Sequence, residues 1–131
     1  MIRESMRDLG LLFLRVAMGI MYLYHGIPKL MGGPSLWGKL GGAVNYVGID
    51  FAPVTFGLAA ALSETVGAVC LMLGIFFRPA LSLLIVTMVV AASMHLGRGD
   101  GLKVASHAIE NAIVFFSLLL IGPGKHKVLG N

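Results

Sequence analysis

GLLFLRVAMGIMYLYHGIPKL, residues 10–30, is an apolar run long enough to cross a bilayer, yet it carries Arg15, His25 and, at its end, Lys29. A hydrocarbon core about 30 Å thick takes about 20 apolar residues as a helix. Helix is required there because no water pairs with free backbone groups. An ionisable side chain in that core costs roughly 2.5–3.5 kcal/mol on insertion scales, so such residues usually face a bundle interior and mark a site. Three more apolar runs repeat the pattern: 54–77 with Glu64, 80–96 with His95, and 104–121 with His107 and Glu110.

Composition agrees with this reading. Of 131 residues, 57% are hydrophobic and only 12% charged, about half the charge of an ordinary soluble domain. Mean hydropathy is +0.90. The chain is therefore expected to be an all-α membrane protein, an antiparallel four-helix transmembrane bundle formed as a single domain over 1–131. The net charge of +4 is spread over loops and ends, which argues against nucleic acid and for contact with anionic lipid. The lone Cys70 excludes an intrachain disulfide and dithiol chemistry; its apolar neighbours suit inert packing. The first run is too long for a cleavable signal and is expected to stay as an anchor.

The connections have distinct characters. Between Met31 and Pro53 glycines alternate with Leu36, Trp37, Leu40, Tyr46 and Phe51, which predicts a Gly-rich interfacial loop or short helix rather than a free linker. Arg78-Pro79 predicts a tight turn between the second and third spans. Four spans put both termini on one side. That side holds Arg3, Arg7, Arg78, Lys125 and Lys127 against Lys29, Lys39, Arg98 and Lys103 on the other, so the charge rule gives cytoplasmic termini by five to four.

Depth along each helix sorts the ionisable residues. At about 1.5 Å per residue Arg15 lies about 9 Å into the first span and Glu64 about 15 Å into the second, which suggests an Arg15–Glu64 pair. His25, His95, His107 and Glu110 fall toward the opposite surface and form an expected polar cluster. Arg15, Gly19, Tyr22, Gly26 and Lys29 line one stripe of the first helix; Ala60, Glu64, Gly67, Ala68 and Leu71 share a face of the second; His107, Glu110, Asn111, Val114 and Ser117 share one of the fourth. Against a functional reading stands the structural one, in which buried pairs only fix helix register. A metal held by His95, His107, Glu110 and His25, or a haem between His25 and His95, is the less favoured alternative, because no tight ligand motif is present.

The same residues carry a family resemblance. The stretch from Leu14-Arg15 through Gly19, Tyr22 and His25-Gly26 to Pro28-Lys29, the run Glu64, Gly67, Gly74 and Arg78, then His95, Glu110-Asn111 and Gly122-Pro123-Gly124 resemble the DoxX family of small bacterial and archaeal membrane proteins. The resemblance covers nearly the whole chain. It implies a four-helix protein of the prokaryotic cytoplasmic (inner) membrane, linked in relatives to redox systems such as a thiosulfate:quinone oxidoreductase or an oxidative-stress complex. On this reading the chain is a membrane subunit with a quinone or similar amphipathic ligand in a polar pocket. Glu64, His95 and Glu110 would act in proton-coupled chemistry, and Arg15, Tyr22, His25 and Asn111 would bind the ligand. Soluble redox proteins are the expected partners, together with membrane lipids, and the small-residue faces also permit a homo-oligomer. The other reading is a non-enzymatic scaffold or carrier that docks partner proteins.

Overall fold

Uninterrupted apolar sequence leaves the backbone no partner but itself, and each of the four apolar runs is helical. The computed structural model describes residues 2–128. Its elements are α1 (Ile2–Met31), α2 (Gly33–Gly41), a 3-10 segment (Gly42–Val47), α3 (Pro53–Leu73), α4 (Phe77–Gly97) and α5 (Leu102–Ile121). α1, α3, α4 and α5 are long and apolar enough to cross a membrane. The short helix foreseen between the first two spans is α2, extended by the 3-10 segment.

Helix ends differ from the hydropathy reading, for local reasons. α1 begins at Ile2, not near residue 9, and its 30 residues extend about 45 Å. Hydropathy marks the part of a helix that lies in lipid, and a polar turn with Glu4 at its start is a good helix beginning. α3 stops at Leu73, not residue 77, because Gly74 turns left-handed at φ 75° and its N–H closes on the Cys70 carbonyl at 2.8 Å. α4 then takes Phe77, Arg78 and Pro79 into its first turn, where a proline's missing N–H costs nothing.

α1 packs beside α3, α3 beside α4 and α4 beside α5, while α2 and the 3-10 segment lie over α3 and α4. α1 and α5 meet through side chains alone, as where the Tyr22 and Phe115 rings stand 5.1 Å apart. The core between the helices holds Leu11, Tyr22, Leu71, Leu81, Leu84 and Phe115. Many large apolar residues point outward, Phe13 at 75% and Val86 at 59% exposure among them, the surface a lipid-embedded bundle requires. α2 comes within backbone contact of α3: a Cβ on Gly41 would collide with the Pro53 carbonyl, and one on Gly57 with the Trp37 carbonyl. The indole N–H of Trp37 donates to the Lys29 carbonyl at 3.0 Å and fastens α2 to the end of α1.

Candidate functional site

The register between α1 and α3 decides which charges meet. Gly19 lies against Met72 and the Ala68 carbonyl, and Gly26 against Thr65 and Glu64. Glu64 is therefore level with Gly26, one turn from Lys29, while Arg15 is level with Leu71 and Met72. The expected Arg15–Glu64 pair does not form. Along α3 the two levels are seven residues apart, about 10 Å, because α1 starts earlier than hydropathy implies and α2 occupies the first turns of α3.

Arg15, 1% exposed, is satisfied by carbonyl oxygens. Its guanidinium donates to Leu71 O at 2.9 Å, Met72 O at 2.8 Å and Pro123 O at 3.0 Å, and also to His126 O. The first two belong to the last turn of α3, whose carbonyls have no helical partner and carry the negative end of the helix dipole. The segment after α5 is clasped there too: Val128 N–H donates to Leu73 O at 2.9 Å and Lys125 N–H to Asp8 Oδ1 at 3.2 Å. Both ends of the chain thus lie at one end of the bundle. Arg15 is a cap and a clasp, and among the described residues it forms no ion pair.

Glu64, 3% exposed, takes Lys29 as its partner, with Nζ 3.0 Å from Oε1 and 2.9 Å from Oε2. Lys29 is the last member of the stripe Arg15, Gly19, Tyr22, Gly26 and Lys29, as well as one of the cations at that end of the bundle. That stripe was the signal for its role: α1 buries Arg15, Gly19, Tyr22 and Gly26 along it, and the next position on the same face is Lys29. The pair opens onto a groove of ≈ 550 Å³ between α2 with the 3-10 segment, α3 and α4. Phe56, Ala60, Leu83, Val86 and Val90 form its apolar walls, and Lys39, His95 and Arg98 join Lys29 and Glu64 as its polar groups. The outward placement of Leu83 and Val86 makes the groove accessible from the side of the bundle.

His95 lines this groove and also ties its far rim. Its Nδ1 lies 2.8 Å from Asp100 Oδ2, which accepts from Arg98 at 2.7 and 3.1 Å. These hydrogen bonds from His95 and Arg98 hold the Asp100 carboxyl below its usual range. The expected grouping of His95 with His25 and Glu110 does not occur. His25 faces His107, ring centroids 6.0 Å apart, across the α1–α5 seam. Asn111 bonds His107 at 3.3 Å. Among the described residues no three His, Cys, Asp or Glu side chains gather as metal ligands.

The polar face expected on α5 is split: His107 and Asn111 turn toward α1, while Glu110 and Ser117 point away from the bundle. α5 buries Ala105, Ala108, Phe115 and Leu118, and His107, Glu110 and Ser117 are exposed. Small and apolar side chains pack better against α4 than a polar stripe does, so the helix is rotated away from the orientation that charge burial suggested. Tyr22 is buried, but its hydroxyl reaches Met88 Sδ at 3.2 Å rather than the groove.

Four membrane-crossing helices, a helical flap laid over two of them and an ion pair facing a lateral groove define a small integral membrane protein with a candidate site for an amphipathic molecule. The sequence profile of the DoxX family matches residues 10–96, and the chain belongs to that family. Comparison with curated proteins and with solved structures finds no match.

Proposed function

We propose that this DoxX-family protein is a membrane subunit that draws one small amphipathic molecule from the bilayer into the groove between α2, α3 and α4. The observation that carries the reading is the Lys29–Glu64 pair, which fronts a groove whose lining is mainly apolar and includes Lys39, His95 and Arg98 as further polar groups. A pair serving only to hold helices together needs no cavity beside it. A volume of ≈ 550 Å³ suits a single small ligand. The apolar part of that ligand lies along Phe56, Leu83 and Val90, and its polar head meets Lys29, Glu64 and His95.

A quinone is the redox-active member of this ligand class, and the family's association with redox systems makes it the first to test. The Lys29 amino group and the His95 ring supply donors for quinone carbonyl oxygens, while Glu64 holds Lys29 in place. His95 and Glu64 are also groups able to exchange a proton with a bound head. Of the residues first assigned to chemistry, Glu64 and His95 remain in this proposal; Arg15, Tyr22, His25, Glu110 and Asn111 lie outside the groove.

The test uses Trp37, the one tryptophan of the chain, on the flap beside the groove. Protein reconstituted in nanodiscs is titrated with a short-chain quinone while Trp37 emission is followed, and amphiphiles that co-purify are identified by mass spectrometry. Saturable quenching that weakens at least tenfold in Glu64→Gln supports a quinone. Saturable displacement of another co-purified amphiphile, with the same dependence on Glu64, supports the groove with a different ligand. Absence of both sinks the proposal.

A further inference from the structure

Glu110 lies eight residues after Leu102, the start of α5, about 12 Å into the helix. It is exposed and takes part in none of the ion pairs among the described residues. A carboxyl group at that depth facing acyl chains is costly, and such groups almost always meet protein or a water-filled cavity. It does not stand alone on that side. Ser106, Glu110, Ile113, Ser117 and Leu120 recur at steps of four and three, opposite the buried Ala105, Ala108, Phe115 and Leu118. Ile113 and Leu120 are 60% and 68% exposed.

We propose that this seam of α5 is covered by α5 of a second copy of the chain, in a two-fold dimer within the membrane. Alternating steps of three and four form the seam along which helices pair with a left-handed crossing, and serines on it allow close approach. A two-fold interface must be complementary to itself, and exposed His107, at the edge of this seam toward α1, supplies a donor for the Glu110 carboxylate. His107 stands one turn before Glu110, and Lys103 two turns before it at the helix start. Asn111 Nδ2 lies 3.3 Å from His107 Nε2, a contact in which the ring nitrogen accepts, so that Nδ1 is the ring's donor for a carboxylate. Across the two-fold axis, Glu110 of each copy accepts from His107 of the other.

The inference is independent of the groove, which lies on α3 and α4. In a Cys70→Ala background, Ile113→Cys oxidised in native membranes is expected to form a covalent dimer at least tenfold faster than Phe13→Cys, an outward position on α1. Ser117→Cys reads the same seam should Ile113→Cys not accumulate. In detergent the protein is expected at twice the chain mass of 13.9 kDa. Glu110→Leu is expected to lower the dimer fraction at least tenfold, and the exchange His107→Glu with Glu110→His to restore it. Dimerisation unchanged by Glu110→Leu, cross-linking no faster than at Phe13→Cys, or an adduct with a different polypeptide would each overturn it.

Discussion

The two ends of the bundle treat a buried cation in opposite ways. At the end that holds both Asp8 and the segment after α5, Arg15 is buried and donates into four backbone carbonyls. At the other end Lys29 meets one carboxylate, and the pair fronts a groove of ≈ 550 Å³. The first arrangement spends every donor on closing the fold, by capping α3 and holding down the segment after α5. The second leaves polar groups beside a cavity with a route to lipid. Intramembrane charge therefore does not by itself mark a site; charge next to space does.

The largest effect expected to test this contrast is at the closed end. Arg15→Met takes the guanidinium donors away from the carbonyls of Leu71, Met72, Pro123 and His126, and should cost about 3–5 kcal/mol, since each buried acceptor left unsatisfied costs about 1–3 kcal/mol. Thermal unfolding in detergent reads the loss. Arg15→Lys should recover little of it, since an ammonium lacks the planar fork that reaches several carbonyls at once. Ligand binding by whatever fraction stays folded should be unchanged.

At the open end Lys29→Met strands Glu64 and should lower stability by about 2–3 kcal/mol, with at least a tenfold loss of groove affinity. The double change Lys29→Met with Glu64→Met removes both charges and should restore stability, because an apolar pair commonly replaces a buried ion pair without loss. It should not restore binding. Recovery of both would mean that the open end is structural in the same sense as the closed one.

Gly57→Ala gives a third, smaller effect. Its methyl group would collide with the Trp37 carbonyl, so α2 must lift from α3, at about 1–3 kcal/mol. Because α2 forms one wall of the groove, Trp37 emission and ligand affinity should change together.

The smallest effect concerns the far rim. The carboxyl of Asp100 is held below its ordinary range by His95 and Arg98, so its contribution is complete above that range and is lost as pH falls through the lowered value, below about pH 4. Hydrogen exchange in the 98–101 loop, corrected for intrinsic rate, should accelerate only under that acidification, and Asp100→Asn should produce the same opening at neutral pH.

Much of the candidate site was legible along α1 and α3. The stripe Arg15, Gly19, Tyr22 and Gly26 is buried as its spacing indicates, and Glu64, Gly67, Ala68 and Leu71 are buried on α3, because glycine and alanine on one face leave a neighbouring helix only one close approach. The partners of the charges were not legible. Depth inferred from hydropathy misplaces a helix that continues past the lipid, as α1 does, and an error of two turns exchanges Lys29 for Arg15 as the neighbour of Glu64. α5 misled for another reason: the burial of charge was used to orient it, while packing of Ala105, Ala108 and Phe115 prevailed.

The sequence alone determined four apolar helices with a helical flap after the first, the shared side of both termini and the faces of α1 and α3. Apolar length and small-residue spacing are properties of each segment, and a membrane leaves the backbone no alternative. Only the tertiary structure decided that Arg15 clasps the segment after α5, that Lys29 and Glu64 face a groove together, and that Glu110 points out of the bundle. Those outcomes depend on the axial register and rotation of each helix against its neighbours, which backbone contact at Gly19, Gly26, Gly41 and Gly57 fixes, and no single helix contains that information.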